Sequence, residues 1–216
     1  MTHVAKLRLR ISVSLDGFVA GPNQSLQEPL GTGGERLHEW VIALQSWREA
    51  HGREGGVVNE STPVVERELA NIGATIMGRN MFGGGPGPWS KTDPWNGWWG
   101  RKPPFHHPVF VLTHHGREPL MMEGGTSFTF VTDGIESALD QARRAANGKD
   151  VALAGGARMA QQYLNAGLVD EMQLHLVPTL LGGGERLFEQ VRDLHGLALV
   201  DTVATRDVVH LKLART

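Results

Sequence analysis

Residues 151–167 have the sequence VALAGGARMAQQYLNAG, and this stretch decides the predicted fold. Its first four residues are all apolar, which is typical of a buried strand, and Ala157 to Ala166 is predicted to be a helix that ends at Gly167. Gly155 and Gly156 form the turn between them. Glycines let a backbone approach a ligand closely, and the free N–H groups of a helix N-terminus attract anions. The turn therefore predicts either a pyrophosphate site or tight packing of strand against helix.

Strands and helices are predicted to alternate along most of the chain. The other predicted strands before the C-terminal hairpin are Leu7 to Leu15, Ala74 to Met77, Val109 to Thr113, Phe128 to Thr132 and Asp170 to Val177. The other predicted helices are Glu35 to Trp47, Thr62 to Gly73 and Ile135 to Asn147. Leu197 to Ala204 and Val208 to Leu213 flank a tight turn and predict an antiparallel hairpin. This order indicates an α/β fold in three layers, with helices on both faces of a mixed, mostly parallel central sheet.

The two helices predicted in the first half carry local signals. In Glu35 to Trp47 the apolar side chains fall on one face, namely Leu37, Trp40, Val41, Leu44 and Trp47. The next helix is predicted to begin with Thr62 as its cap and Pro63 in its first turn.

Composition excludes several classes of protein. The 216 residues are 40% hydrophobic and 20% charged, which argues against disorder and predicts a single domain over residues 1–216. With no cysteine, disulfides, thiolate catalysis and cysteine-bound metal are excluded. The net charge of -2 favours neither nucleic acid nor an anionic membrane as a partner. Because Met1 to Arg8 lacks the apolar stretch of a signal peptide and no segment has transmembrane length, we expect a cytoplasmic protein.

Two further turns carry groups suited to phosphate. The strand that ends at Gly78 is followed by Arg79, whose donors suit a phosphate unless it is only a surface arginine. Another strand ends in Thr113, His114 and His115. Adjacent histidines on an extended chain point to opposite faces, so no metal site is predicted. The carboxyl ends of parallel strands meet at one edge, so the three turns predict one trough for a phosphorylated dinucleotide.

Several motifs occur in an order that resembles a known family. They are ISVSLDGFVAG (11–21), MGRNMF (77–82), PVFVLTHH (108–115), the turn at 155–157, AGLVDE (166–171) and PTLLGGGERLF (178–188). Together they resemble the dihydrofolate-reductase-like superfamily. The last two resemble its branch that contains the C-terminal reductase domain of RibD, the bifunctional deaminase-reductase of riboflavin biosynthesis.

The resemblance implies a dihydrofolate-reductase-like fold and an NADPH-dependent reductase that transfers hydride to a small heterocycle. The expected activity is related to that of 5-amino-6-(5-phosphoribosylamino)uracil reductase, in a homodimer. The implied cofactor residues are Val19 and Ala20 at the nicotinamide, Arg79 and Asn80 at the adenosine phosphates, Thr113 and His114 near the 2′-phosphate, Gly155, Gly156, Ala157 and Arg158 at the pyrophosphate, and Gln161 or Gln162 at the adenine. Gly78, Met81 and Leu112 are also expected to contact the cofactor. The implied substrate residues are Trp89, Leu181 and Gly182.

The chain also departs from dihydrofolate reductases. Alignment on Trp40 puts Leu37 where those enzymes carry a carboxylate, so dihydrofolate reduction is only an alternative, beside a non-catalytic dinucleotide-binding dimer. The proton is expected from Asp16 or from solvent, although Asp16 could instead fix the Asp-Gly turn. The insert from Gly83 to Pro108 holds four tryptophans, which could wall a flat substrate or cover a dimer seam.

Overall fold

The computed structural model describes residues 5–215. The predicted domain also includes Met1 to Val4 and Thr216, and the signal-peptide prediction includes Met1 to Val4. These residues lie outside the described residues. The strands are β1 (Leu7–Ser14), β2 (Phe18–Ala20), β3 (Ile72–Gly78), β4 (Pro108–Leu112), β5 (Leu120–Met121), β6 (Ser127–Val131), β7 (Asp150–Leu153), β8 (Glu171–Val177), β9 (Glu185–Arg186), β10 (Leu197–Ala204) and β11 (Val209–Arg215). The helices are α1 (Glu39–Ile42), α2 (Gln45–Ala50), α3 (Thr62–Leu69), α4 (Arg79–Phe82), α5 (Ile135–Ala146) and α6 (Ala157–Asn165).

Within residues 5–215, nine strands form one sheet in the order β10-β11-β8-β1-β7-β3-β4-β6-β5. From β8 to β6 every neighbouring pair is parallel, whereas β11, β10 and β5 join antiparallel. β10 and β11 form the predicted hairpin, and a bulge interrupts their pairing between Leu199 and Asp201. β2 and β9 form a separate two-stranded sheet. The predicted α/β class with a mixed, mostly parallel sheet is confirmed.

The two faces of the sheet bury different side chains. Because side chains alternate along a strand, Leu7, Leu9 and Val13 of β1 enter the main core, which α5 and α6 cover. Arg8 lies on the opposite face, where its guanidinium reaches the backbone of α3. A smaller apolar cluster on that side joins α1 to α3, and another joins the tryptophan insert to β4 and β6. Among residues 5–215, no helix has both the length and the apolar run that crossing a bilayer demands.

The predicted helix from Glu35 to Trp47 is wrong. The segment is a 3-10 turn at Gly34–Leu37 followed by α1 and α2. Leu44 is extended, with ψ 140°, because its neighbours bond to Val57: the Val57 N–H donates to the Ala43 carbonyl and the Gln45 N–H to the Val57 carbonyl. The predicted apolar face still faces the core, with Leu37 and Leu44 fully buried and Trp40 nearly so.

The predicted helix from Thr62 to Gly73 is too long, since it ends at Leu69 and β3 begins at Ile72. Between them Asn71 has a φ of 61°, which reverses the chain into the sheet, and Arg8 donates hydrogen bonds to the Arg67 and Ala70 carbonyls at the helix end. Thr62 does not cap the helix. Its hydroxyl accepts the Asn59 N–H, and no side chain caps the N-terminus. β2, β5 and β9 are strands that the sequence did not predict.

Candidate functional site

The three turns that follow β3, β4 and β7 lie side by side at one sheet edge. β3 lies between β7 and β4, with Ile76 opposite Leu153 and Gly78 opposite Leu112. The Gly78 N–H donates to the Gly155 carbonyl at 3.0 Å, which ties the first turn to the third. The predicted convergence of the turns is therefore confirmed, while a cofactor in the trough stays a prediction.

The turn between β7 and α6 has room for a phosphate group. Gly155 has a φ of 122°, which side chains rarely allow. A Cβ atom at Gly156 would meet no atom within 4 Å, so packing does not demand glycine there. No side chain caps the N-terminus of α6, whose first residues are Ala157 and the exposed Arg158. Free amide donors with an open approach fit a pyrophosphate, as the resemblance implies.

Arg79 lies at the start of α4 and organises the segment after it. Its guanidinium donates to the carbonyls of Gly83 at 3.0 Å and Gly85 at 2.9 Å, and it approaches the Thr113 hydroxyl at 3.4 Å. It also stacks on the Trp89 indole, 3.2 Å from the ring centroid. Partial burial, and then a second arginine nearby, lower the pKa of Arg79. Arg79 and Thr113 are therefore brought together as predicted, although loop carbonyls occupy several of the arginine's donors.

The second arginine is Arg117, which the sequence reasoning missed. Its guanidinium carbon lies 4.9 Å from the centroid of Trp89, and it donates to the Trp95 carbonyl at 2.6 Å. Burial lowers its pKa. Within the described chain, neither Arg79 nor Arg117 has a carboxylate at ion-pair distance. Arg117 stands only four residues after Thr113, so the same strand-end argument could have found it.

Thr113 and the histidines form the rest of this corner. Thr113 is buried, and its hydroxyl accepts the His115 N–H at 3.1 Å. His114 is exposed and the His115 carbonyl accepts the indole N–H of Trp89. The corner thus offers two arginines, one hydroxyl and one exposed imidazole.

Asp16 lies at the other end of the edge, in the turn after β1. Its carboxylate accepts hydrogen bonds from the Ser14 hydroxyl at 2.6 Å and from the N–H groups of Gly182 at 2.7 Å and Leu181 at 3.2 Å. These donors, chiefly Ser14, lower the pKa of Asp16 to about 2. These hydrogen bonds favour the ionised carboxylate and its alternative role in the turn, while a role of Asp16 as proton donor stays a prediction. The amides of Leu181 and Gly182, predicted to meet substrate, hold Asp16.

The predicted nicotinamide residues Val19 and Ala20 lie in β2. The backbone of Gly184 packs so closely on β2 that a Cβ atom there would lie 2.0 Å from the Ala20 carbonyl oxygen. The buried side-chain amide of Gln161 stabilises the same region, because it donates at 2.8 Å to the carbonyl of Arg186 in β9, the strand that pairs with β2. One donor of Gln161 therefore holds β9, and the contact of Gln161 or Gln162 with adenine stays a prediction.

The tryptophan insert packs inward. The indole N–H groups of Trp95 and Trp98 donate to the Phe82 and Met81 carbonyls at the end of α4. Trp89, Trp95 and Trp99 pack against the apolar cluster on β4 and β6. Trp89 contacts Arg79, while Leu181 and Gly182 contact Asp16 in another part of the site, and the substrate roles expected of the three stay predictions. The insert therefore stabilises the arginine corner.

The chain matches a known protein family over almost its whole length. The profile of a family described as the RibD C-terminal domain matches residues 5–213. The chain belongs to the RibD C-terminal domain family. Of the curated proteins, the uncharacterized protein YyaP of Bacillus subtilis (strain 168) is 37% identical over 73 residues. Those residues make up 34% of this chain and only 38% of YyaP.

Solved structures share the fold of this RibD C-terminal domain. A putative riboflavin biosynthesis protein from Shewanella sp. PV-4 is 18% identical with a TM-score of 0.60, over 98% of this chain and 99% of that one. A diaminohydroxyphosphoribosylaminopyrimidine deaminase/5-amino-6-(5-phosphoribosylamino)uracil reductase from Thermotoga maritima is 12% identical, with a TM-score of 0.56, over 99% of this chain and 57% of that one. Dihydrofolate reductase from Enterococcus faecalis, complexed with NADP(H) and RAB-propyl, is 13% identical with a TM-score of 0.52, over 97% and 96%. At such identities the likeness concerns the fold alone.

Proposed function

We propose that the chain is an NADPH-dependent reductase of a small heterocycle, related to 5-amino-6-(5-phosphoribosylamino)uracil reductase. One observation carries the proposal: Arg79 and Arg117 lie together beside Thr113 with no carboxylate at ion-pair distance in the described chain. Like charges held together without a counterion raise the free energy of the fold unless an anion binds between them. A ribose 2′-phosphate is such an anion, and arginine suits its geometry.

The rest of this sheet edge carries groups that fit the pyrophosphate and the nicotinamide of the dinucleotide. The N–H groups at the start of α6 would hold the pyrophosphate, and the open space at Gly156 would let it approach. Val19 and Ala20 would lie against the nicotinamide, which supplies hydride when the cofactor is bound. The family assignment supports this arrangement, since its relatives include reductases, and the Enterococcus enzyme of the same fold was solved with NADP(H).

The protein's contribution to the reaction would be mainly positional. Asp16 holds Leu181 and Gly182 through their N–H groups and so fixes the loop at the nicotinamide end. Because Asp16 stays ionised, the proton would come from a water molecule at the open end of the cleft.

NADPH oxidation tests the proposal. Absorbance at 340 nm is followed with the purified chain, NADPH and the ribosylaminouracil substrate, and we expect turnover that saturates in both. NADPH binding by calorimetry is measured in parallel. Binding without turnover of this substrate or of dihydrofolate would favour the alternative, a non-catalytic dinucleotide-binding protein. The absence of NADPH binding would reject both functions.

A homodimer and a cytoplasmic location are parts of the same proposal. Leu199 and Val200 are exposed apolar side chains on β10, 59% and 50% accessible. Light scattering coupled to size-exclusion chromatography gives the mass, and a monomer at all concentrations would remove the dimer from the proposal.

A further inference from the structure

Away from the cofactor edge, a chain of buried polar groups joins α3 to the antiparallel half of the sheet. Ser61 and Glu68 stand at the two ends of α3, His175 lies on β8 and His210 lies beside it on β11. All four are buried, with accessible fractions of 1% to 7%. Buried polar groups are costly unless they bond to one another, so this set bears on how α3 is held.

The distances define a continuous chain. The Ser61 hydroxyl lies 2.9 Å from His210 Nε2, and His210 Nδ1 lies 2.8 Å from His175 Nδ1. His175 Nε2 lies 3.4 Å from Glu68 Oε1, an ion-pair contact, and this buried oxygen has no hydrogen-bond partner among the described residues. His210 therefore uses both ring nitrogens in hydrogen bonds, His175 bonds through Nδ1 and faces the carboxylate with Nε2, and the two rings meet nitrogen to nitrogen.

The Glu68 carboxylate fixes the direction of this chain. A carboxylate can only accept, so the Glu68 oxygen 3.4 Å away favours the proton of His175 on Nε2, which leaves its Nδ1 as an acceptor. His210 then donates from Nδ1 and accepts the Ser61 hydroxyl at Nε2. With both imidazoles neutral, every contact has one donor and one acceptor.

Lowering the pH would add protons to this hydrogen-bonded chain in two steps. One added proton makes one ring an imidazolium, and the contacts survive if the His210 tautomer reverses and the Ser61 hydroxyl becomes the acceptor. A second proton puts N–H on both facing nitrogens, 2.8 Å apart, with no acceptor and with like charges. The contact between β8, β11 and α3 then cannot hold.

The titratable groups that face this hydrogen-bonded chain do not relieve the repulsion between the two protonated rings. Glu68 is the facing acid, Arg10 of β1 interacts with it, and His38, before α1, lies near His175. Trp40 packs its ring against both histidines, 4.7 Å from His175 and 5.0 Å from His210 between ring centroids, and blocks water from that side. Burial and His175 lower the pKa of His210 to about 4.

We propose that Ser61, His210, His175 and Glu68 form an acid-released latch, which holds α3 on the sheet at neutral pH and opens when two protons bind. The latch depends on no cofactor, so it is separate from the proposed reductase activity. The apolar cluster under α1 and α3 also contacts Leu181, so opening would loosen the loop that Asp16 holds.

Nitrogen NMR of the histidines tests the direction of the chain. At pH 7.5 we expect the Nε2–H tautomer for His175, the Nδ1–H tautomer for His210, and a coupling between the two Nδ1 atoms. Finding Nε2–H on both rings of the wild-type protein would overturn the proposal.

Hydrogen exchange tests the release. After correction for intrinsic rates, we expect the opening of α3 to increase by about tenfold per pH unit as the pH falls from 6.5, the ordinary pKa of histidine, towards the lowered pKa of His210 of about 4, and that of α5 to change far less. His51→Gln, at an exposed histidine outside the chain, is the matched control and should behave as wild type. Equal acceleration of α3 and α5, or a slope of zero for α3, would refute the latch.

Discussion

The Nη1 atom of Arg79 lies 3.4 Å from the Oγ1 atom of Thr113, although 34 residues separate the two along the chain. The contact exists because β3 and β4 are parallel and end level, with Gly78 opposite Leu112. Sheet register, more than local sequence, therefore assembles the polar corner at which we propose that a phosphate binds.

Replacing Arg117 tests that corner. Arg117→Gln should weaken NADPH binding about tenfold or more and leave NADH binding nearly unchanged, because a hydrogen bond between charged groups contributes about 1.5–3 kcal/mol. Calorimetry with both nucleotides measures the ratio. Arg101→Gln is the control, since Arg101 pairs with Glu123 at the surface and should show no change. Equal losses for the two nucleotides would mean that Arg117 only supports the insert.

Alanine substitutions at Gly155 and at Gly156, the two glycines before α6, should have different effects. Gly156→Ala has space for its Cβ atom, so we expect an unchanged melting temperature but a loss of NADPH affinity of about tenfold or more, as the methyl group blocks the pyrophosphate. Gly155→Ala should lower the melting temperature, because its φ of 122° strains any side chain. If Gly156→Ala binds NADPH as wild type does, the turn serves packing alone.

Asp16 gives a pH-dependent prediction. Its pKa of about 2 is below the ordinary 3.8, so its contribution to stability is present above pH 3.8 and is lost as the pH falls towards 2. Asp16→Asn should melt below wild type at pH 7, and the difference should shrink as acid is added below pH 4. Thermal unfolding at several pH values measures it. A variant as stable as wild type at pH 7 that had lost all turnover would instead restore Asp16 as a catalytic acid.

The insert should loosen when an indole donor is removed. Trp95→Phe keeps an aromatic ring but loses the N–H that donates to the Phe82 carbonyl at 2.8 Å, which should lower the free energy of unfolding by about 1 kcal/mol. Trp99→Phe is the matched comparison, because Trp99 contacts Phe105 and Phe128 through its ring. Urea unfolding and limited proteolysis of the insert report the effect. The idea fails if Trp99→Phe destabilises the protein as much as Trp95→Phe.

The sequence predicted those features that depend on local pattern. The apolar run before Gly155 and the amphipathic α5 and α6 were enough to predict strand, turn and helix, and the parallel order then placed the three turns at one edge. Features that depend on distant partners were beyond it. The helix over Glu35 to Trp47 breaks because Val57 bonds across it.

Side-chain partners at the site are also distant along the chain. The amide of Gln161 donates to the Arg186 carbonyl, 25 residues away. The carboxylate of Asp16 accepts the N–H groups of Leu181 and Gly182, 165 and 166 residues further along. Neither partner is visible in a local motif, and both became evident only from the packed loops.

The interrupted pairing of β10 has a consequence for how copies of this chain could meet. A bulge between Leu199 and Asp201 bends the outermost strand on one side, and the strand at the other border, β5, is only two residues long. Neither border offers an incoming strand a continuous ladder of free backbone groups. The two border strands therefore disfavour the addition of a strand from another molecule. Self-association would have to use side-chain surfaces, and continued extension of the sheet from one molecule to the next is disfavoured at both borders.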